Sequence, residues 1–470
     1  NMMYPRLYLA KNLLRDDGLI FISIDETEIH NLRAICNDIF GEECFVGCIS
    51  RVTGTPTGGG NKALVGEIDY ILVYSRLPDV RIEGINFSKE DARIYDKEDE
   101  RGKYLTRPLR RTGGEDRRED RPSMFYPITA PDGTKIFPIA PAGYESRWIC
   151  GIERFKEMER DGLIEWMKIK KNGTEKWQVY QKFYLEGRVK QPSNFWAKLE
   201  GNKKATRDLR ALFDGEKVFS FPKPVGLIQQ IIQISDLREG DIVLDFFAGS
   251  GTTAHALMKQ NSEDGVRRKY ILVQLPEPLD PNDKEQTIGA KFCDKLGVPR
   301  NIAELTKERL RRAAKQVMNN SLEYHGDFGF RTFKLYRSNF KVWDGNLADA
   351  DEQTLQRQLE RHVEHVSEES SQEDILYELL LKAGFPLTTK VEAIEMAGKQ
   401  VFSIEHGAML ICLEDEVTPE LIDAMAEADP LQVICLDRAF AGNDQLKANA
   451  VQTFKVRASS KESEIVFMTV

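Results

Sequence analysis

The stretch of sequence that decides the fold is Asp241-Ile-Val-Leu-Asp245-Phe-Phe-Ala-Gly249-Ser-Gly251-Thr-Thr-Ala-His255. Its apolar run leads through Asp245 into a glycine turn, a pattern typical of a buried parallel strand followed by the start of a helix. Gly249 and Gly251 lack a Cβ, so a ligand can approach the backbone closely. The first N–H groups of a helix have no intrahelical partner and attract a carboxylate or phosphate. A Gly-x-Gly turn alone is often structural, but the longer string predicts a small-molecule site.

Two motifs resemble those of one enzyme class. Asp245-Phe246-Phe247-Ala248-Gly249-Ser250-Gly251-Thr252-Thr253 resembles the S-adenosylmethionine-binding motif of DNA amino-methyltransferases, which methylate exocyclic nitrogens of adenine or cytosine. Upstream lies Phe219-Ser-Phe-Pro-Lys223-Pro224-Val-Gly-Leu-Ile, which resembles the Pro-Lys-Pro segment of the class whose motifs run in permuted order. The resemblance implies S-adenosylmethionine as the cofactor. The residues that it places around the cofactor are Lys223, Pro224, Asp245, Phe246, Ala248, Gly249, Ser250, Gly251 and Thr252.

A second strand is predicted over Tyr270-Ile-Leu-Val-Gln274-Leu-Pro-Glu277. In dinucleotide and S-adenosylmethionine folds, an acid near the end of this strand bonds the ribose hydroxyls. The expected position is Gln274, which departs from that pattern. Glu277 is therefore the candidate for the ribose-binding role, and an ordinary surface carboxylate is the alternative.

Residues 1–76 predict alternating helices and strands. Apolar residues at helical spacing predict helices over 4–15 and 26–40, while 18–25 and 69–75 have the composition of strands. This alternation is typical of an α/β fold. Together these segments resemble the modification (Mod) subunit of Type III restriction-modification systems. Ordinary amphipathic core elements would explain each segment separately, but not the set.

One motif of that family does not occur in these 470 residues. The family's catalytic loop is an Asp-Pro-Pro-Tyr tetrapeptide, and the nearest match here is Asp280-Pro281-Asn282. In the permuted order this loop and its strand would precede the first helix, and without them a parallel sheet would have a gap with unpaired backbone groups. We therefore expect upstream residues in the natural protein, and no catalytic residue is assigned within this chain.

Residues 77–215 differ in character, because aromatic, glycine and basic residues alternate without a long periodic element. In the permuted family the target-recognition domain is inserted at this position, which favours DNA binding. Arginine side chains neutralise phosphates and read guanine edges. The candidate DNA-binding residues are Arg107, Arg110, Arg111, Arg117 and Arg118. The alternative is a solvated loop in which nearby acids pair with these arginines.

Composition limits the class of protein. The net charge of −9 argues against indiscriminate coating of nucleic acid, although it is compatible with a local basic groove. Seven scattered cysteines indicate a reducing compartment, and the paired ligand clusters of a structural zinc site are absent from the sequence. Since neither a long apolar run nor a cleavable signal occurs, we expect a soluble, cytoplasmic protein without a membrane partner.

These observations predict an α/β fold. It would consist of a Rossmann-like, S-adenosylmethionine-dependent methyltransferase sheet, an inserted target-recognition domain and a small C-terminal α/β domain. The methyltransferase domain is predicted over 1–76 and 216–320, and the target-recognition domain over 77–215. A connecting segment with an exposed helix is predicted over 321–373, and an assembly domain over 374–470.

The resemblance implies a modification subunit that transfers a methyl group from S-adenosylmethionine to adenine N6 in a specific double-stranded DNA sequence, and that supplies sequence recognition. The implied partners are DNA, a second Mod copy in a homodimer, and a restriction (Res) subunit with helicase and nuclease activity. Methylation of cytosine N4 and a non-catalytic role in DNA recognition and assembly are open alternatives. A nicotinamide-dependent oxidoreductase is disfavoured, because the third glycine of Gly-x-Gly-x-x-Gly does not follow Gly251.

Overall fold

A computed structural model describes residues 2–54, 66–171, 174–321, 326–341, 366–367, 370–460 and 465–470. The chain divides into two compact units, residues 1–328 and 329–470. The helix predicted within the connecting segment, around Leu355 and Val363, lies outside the described residues. The finer division into methyltransferase, recognition, connecting and assembly segments stays a prediction.

The first unit begins with alternating helices and strands, which confirms the prediction for this segment. In chain order they are α1 (Met3–Leu13), β1 (Leu19–Ile24), α2 (Ile29–Phe40), β2 (Phe45–Val52) and β3 (Ile68–Ser75). Strand β3 lies between β1 and β2 and is antiparallel to both. Helices α1 and α2 contribute Leu7, Leu32 and Cys36 to a core that also contains Leu72 and Tyr74 of β3. The apolar spacing that predicts the helices is therefore the spacing that fills this core.

Short strands and two helices form the inserted region. They are β4 (Ile85–Asn86), β5 (Lys97–Asp99), β6 (Gly102–Pro108), β7 (Ile128–Thr129), β8 (Lys135–Ile136), α3 (Ile152–Arg160), β9 (Ile164–Lys171), β10 (Thr174–Tyr184), β11 (Val189–Lys190), β12 (Phe195–Trp196) and α4 (Asn202–Leu212). Strands β5, β6, β10 and β9 form an antiparallel sheet, whereas β12 pairs in parallel with β2. The longest of these strands is β10, with 11 residues. Charged and aromatic side chains occur on both of its faces, so the usual apolar alternation is missing from the sequence.

The rest of the first unit contains the glycine turn. Its elements are α5 (Val225–Ile234), β13 (Ile242–Asp245), α6 (Thr252–Asp264), β14 (Lys269–Leu272), α7 (Thr287–Leu296) and α8 (Ile302–Asn320). Strands β13 and β14 are parallel, and α6 packs against α5 and α8. Within the described residues this strand pair is not hydrogen-bonded to the sheet that contains β1. The prediction that β13 is buried is wrong for Ile242, which is 56% exposed because, among the described residues, the strand pairs with β14 alone.

The second unit is a small α/β sheet domain. Its elements are α9 (Gln372–Lys382), β15 (Val391–Met396), β16 (Lys399–Ile404), β17 (Met409–Cys412), α10 (Pro419–Glu427), β18 (Gln432–Cys435), α11 (Asp444–Ser460) and β19 (Val466–Thr469). The strands lie in chain order, antiparallel from β15 to β17 and parallel from β17 to β19. Leu421 of α10 and Phe454 of α11 are buried in one core with Ile411 and Val433 of the sheet. No helix in the described parts of either unit is long and apolar enough to cross a membrane.

Candidate functional site

Asp245 organises the glycine turn between β13 and α6. One of its carboxylate oxygens accepts the N–H of Phe247 at 3.1 Å, and the other accepts the hydroxyl of Thr253 at 2.6 Å. Because Asp245 ends the strand and Thr253 lies in the first turn of the helix, the carboxylate ties these two elements together. This is a structural role for Asp245. Its contact with a cofactor stays a prediction.

Gly249 and Gly251 both adopt left-handed backbone angles, with φ of 50° and 75°. A Cβ on Gly251 would lie 2.7 Å from Cδ1 of Leu310 and 3.0 Å from Cγ2 of Thr306, both on α8. Close packing against α8 therefore requires a glycine at position 251. The sequence analysis had explained this glycine only by the approach of a ligand. A Cβ on Gly249 would meet the carbonyl oxygen of Phe247 at 3.8 Å, which is ordinary contact.

Helix α8 holds the carbonyl groups of the turn. The hydroxyl of Thr306 donates to the carbonyl oxygen of Gly249 at 2.5 Å. Arg309 Nη1 donates to the carbonyl oxygen of Ser250 at 3.1 Å, to the Ser250 hydroxyl at 2.5 Å, and to the hydroxyl of Thr252 at 2.9 Å. These contacts were not predicted from the sequence. The available signal was an arginine on the buried, otherwise largely apolar face of α8.

His255 lies one turn into α6, near the same arginine. Its imidazole pKa is lowered to about 3, first by burial and then by the positive charges of Arg309 and Lys259. Its Nδ1 makes no hydrogen bond to the described residues. The imidazole is therefore neutral at neutral pH and adds no positive charge to that of Arg309.

Lys223 connects the glycine turn to a cleft. Its carbonyl oxygen accepts the hydroxyl of Thr252 at 3.3 Å, while its ammonium group lies 3.2 Å from Oδ2 of Asp69. Pro224 follows as the N-cap of α5, where its fixed φ suits the start of a helix. The cleft has a volume of about 560 Å³. Its lining residues are Ser23, Ile24, Asp25, Glu28, Asp69, Phe221 and Lys223.

The cleft combines carboxylates with an exposed aromatic ring. Asp25, Glu28 and Asp69 supply three carboxylates, and Lys223 supplies one ammonium group. Phe221 is 85% exposed, which leaves its ring available for stacking. The volume of about 560 Å³ lies within the range of ~300–1,000 Å³ for small-molecule sites. These groups fit S-adenosylmethionine, which has a purine ring and two cationic centres, while the turn fits its carboxylate.

Arg51 fixes Asp69 at the edge of the cleft. The Arg51 guanidinium is 1% exposed and lies 3.7 Å from the Asp69 carboxylate. Its Nη2 also donates to the carbonyl oxygen of Glu200 and to Oδ1 of Asn202, both at 3.0 Å. Burial lowers the pKa of Arg51, and the charge of Asp69 opposes that shift. Since Glu200 and Asn202 lie at the start of α4, Arg51 links the cleft to the end of the inserted region.

Gln274 rather than Glu277 contacts the glycine turn. The Gln274 side-chain oxygen accepts the N–H of Gly249 at 2.7 Å. Glu277 is exposed, and its carbonyl oxygen accepts the first N–H of α8 at 3.1 Å. Phe246 packs against the core of α1 and α2, and Ala248 is buried. Contact of Glu277, Phe246 or Ala248 with a cofactor stays a prediction.

Two of the arginines predicted to bind DNA have acidic partners. Arg118 pairs with Glu145 at 2.7 Å, and Arg110 lies 3.8 Å from Asp116. Both pairs favour the alternative of a charge-paired loop. Because the Arg118 pair is about half exposed, it contributes little stability and could exchange for a phosphate contact.

The other three arginines of this set are exposed. Arg107 lies on β6 with its guanidinium 5.8 Å from the ring centre of Phe183, and Arg117 lies 5.0 Å from the ring centre of Tyr144. Arg111 follows Arg110 on the loop after β6. Exposed guanidinium groups of this kind are free to contact a DNA backbone, and that contact stays a prediction.

Comparison with known proteins identifies the family. The DNA methylase family (N6_N4_Mtase) matches residues 1–277. The chain is 33% identical over 342 residues to the Type III restriction-modification enzyme StyLTI Mod subunit of Salmonella typhimurium, covering 71% of this chain and 48% of that protein. It is 31% identical to the EcoPI Mod subunit of Escherichia phage P1, covering 68% and 50%. It is 29% identical to the EcoP15I Mod subunit of Escherichia coli, covering 94% and 67%.

The family match includes the whole of the site described above except α8. Residues 1–277 contain β1, the cleft, the glycine turn and β14, and they form more than half of the 470 residues. The chain spans about half the length of the Salmonella and phage relatives. This chain belongs to the DNA methylase family.

Proposed function

We propose that this chain is part of a Type III modification subunit, which transfers a methyl group from S-adenosylmethionine to adenine N6 in a specific double-stranded DNA sequence. The observation that carries the proposal is the junction at Lys223. Its backbone bonds to the glycine turn, and its side chain lines the carboxylate-rich cleft. In this proposal the turn and the cleft form one site, with partners for both the anionic and the cationic parts of one ligand. Membership of the DNA methylase family and relatives named as Mod subunits support the same function.

When bound, S-adenosylmethionine supplies a methyl group activated by a sulfonium cation. The free N–H groups at the start of α6 would bind its carboxylate, favoured by the helix dipole. The carboxylates of Asp25, Glu28 and Asp69 would balance its positive charges, and the exposed ring of Phe221 would stack on a purine. The proposed cofactor site therefore extends beyond the residues of the glycine motif.

Methylation of adenine N6 in a duplex requires the base to leave the helix stack. In this proposal the inserted region binds the DNA around that base. Besides the five arginines, this region contains a second cleft, of about 480 Å³. Its charged lining residues are Lys89, Arg93, Asp96, Lys97, Glu98 and Lys103. Lysine and arginine at such a cleft suit phosphate contacts, which position DNA without reading its sequence.

Relatives named as Mod subunits of Type III restriction-modification enzymes also support the expected Res partner. A second Mod copy is the other partner in this proposal. The second unit is the candidate docking module. Its strand β15 lies at the edge of the sheet, where unpaired backbone groups can accept a further strand. A cytoplasmic location, where DNA is accessible, completes the proposal.

A methyl-transfer assay tests the proposal. The natural protein is incubated with duplex DNA and S-adenosylmethionine that carries a labelled methyl group, and the labelled nucleosides are then separated. We expect N6-methyladenine, whereas N4-methylcytosine would establish the cytosine alternative. Binding of cofactor and DNA without transfer would establish a non-catalytic recognition subunit. If the protein neither binds the cofactor and DNA nor transfers a methyl group, the proposal is refuted.

The matched negative control is Asp245→Ala. This variant removes the carboxylate that ties the turn to α6, so binding and transfer should fall together. Full activity in Asp245→Ala would show that the glycine turn is not the cofactor site.

A further inference from the structure

Arg309 is a buried cation that forms no salt bridge with any carboxylate in the part of the chain that the structure describes. Its side chain is 2% exposed, and its Nε makes no hydrogen bond to the described residues. Burial lowers the pKa of Arg309 to about 10, so the group is still a cation at neutral pH. An unpaired buried charge is costly to a fold. An anion supplied from outside the chain would offset that cost.

The contacts of Arg309 and its neighbour Thr306 fix the orientation of the glycine turn. Arg309 holds the carbonyl oxygen of Ser250, and Thr306 holds the carbonyl oxygen of Gly249. In a trans peptide the carbonyl and the following N–H point in opposite directions. The N–H of Ser250 therefore points away from α8. Helix α8 thus binds the carbonyl side of the turn and leaves this donor directed toward the opposite side.

We propose that Arg309 is the positioning residue of the glycine turn, and that its buried charge makes the turn selective for a ligand with a carboxylate. This inference rests on the proposed function, in which that carboxylate is the amino-acid end of S-adenosylmethionine. Arg309 acts through the turn without touching the ligand. Charges separated by one peptide layer in a partly desolvated site change affinity by about 10- to 100-fold. The positive end of the α6 dipole acts in the same direction.

The test compares two ligands that differ only in the carboxylate, S-adenosylhomocysteine and its decarboxylated analogue. Isothermal titration with the natural protein gives the Kd of each ligand. The Kd of the decarboxylated analogue divided by the Kd of S-adenosylhomocysteine measures selectivity for the carboxylate. Arg309→Gln keeps hydrogen-bond donors and removes the charge, so this ratio should fall by about tenfold or more. Arg309→Lys keeps the charge and should hold the ratio within about threefold.

Thr306→Val is the matched control for positioning without charge. It removes the hydrogen bond to Gly249 and should weaken both ligands by a similar factor, which leaves the ratio unchanged. If Arg309→Gln does not fold by circular dichroism, Arg309→Met provides a neutral variant that still fills the site. An unchanged ratio in the neutral variant would overturn the inference, whether the two affinities fall together or stay the same. If the unsubstituted natural protein binds neither ligand, the proposed function itself fails and the inference fails with it.

Discussion

Replacing Gly251 by alanine tests the packing of α8 against the glycine turn. Gly251 has a φ of 75°, and an added Cβ would lie 2.7 Å from Cδ1 of Leu310 and 3.0 Å from Cγ2 of Thr306. The left-handed conformation costs an L-residue about 1–2 kcal/mol. Overpacking of a filled site costs a further ~1–3 kcal/mol. We therefore expect Gly251→Ala to lower the free energy of unfolding of the first unit by about 2–5 kcal/mol.

The matched control is Gly249→Ala. Gly249 is also left-handed, with a φ of 50°, but an added Cβ would meet the Phe247 carbonyl oxygen at an unstrained 3.8 Å. Its expected cost is the conformational one alone, about 1–2 kcal/mol. The difference between the two variants, about 1–3 kcal/mol, then measures the contact of Gly251 with α8.

Urea denaturation followed by tryptophan fluorescence measures this difference. The tryptophans of the first unit are Trp148, Trp166, Trp177 and Trp196. Because the chain has five tryptophans in all, the signal reports mainly on the first unit. A change in midpoint with an unchanged slope would show a change in stability. If Gly251→Ala is no less stable than Gly249→Ala, the packing argument is refuted.

Acid should destabilise the first unit through His255, whose folded pKa of about 3 lies below the usual 6.5. As pH falls, the His255 imidazole takes up a proton in the unfolded chain before it does so in the folded chain. The free energy of unfolding is therefore highest above pH 6.5 and declines toward pH 3, by about 2 kcal/mol between pH 7 and 5. Urea titrations across this range give the unfolding free energy at each pH. This free energy should depend less steeply on pH in His255→Gln, and the same pH dependence as in the unsubstituted protein would contradict the assignment. Asp69→Ala leaves Arg51 buried without its ion-pair partner and should cost about 2–3 kcal/mol, below the ~3–5 kcal/mol of a fully buried pair because Asp69 is partly exposed. Lys223→Ala removes the more exposed partner of the same carboxylate and should cost less than about 1 kcal/mol, so equal losses of unfolding free energy would contradict this order.

The local part of the site was predictable from the sequence, and the long-range part was not. Strand β13 ends at Asp245 and α6 begins at Thr252, as the apolar run and the glycines predict. The pair of Asp69 and Lys223 spans 154 residues of chain. Contacts of this length leave no periodic signal, because periodicity reports on neighbours within one helix or strand.

The role of α8 was missed for a related reason. Apolar residues at helical spacing form its buried face, but this spacing does not say which element the face meets. Arg309 contacts Ser250 across 59 residues, so its role emerges only when both elements are placed. The sequence likewise did not predict that Asp25 and Phe221 line one cleft, since they come from separate segments of the chain.

Hydrogen–deuterium exchange with and without S-adenosylhomocysteine tests most directly whether the glycine turn and the cleft form one ligand site. We expect the ligand to slow exchange in peptides that cover 245–255, 219–225 and 21–28, because these segments contain the turn, Lys223 and the cleft acids. Helices α10 and α11 of the second unit serve as the internal control and should exchange at unchanged rates. Unchanged exchange at all three segments under saturating ligand, or slower exchange that omits the turn, would contradict the site described here.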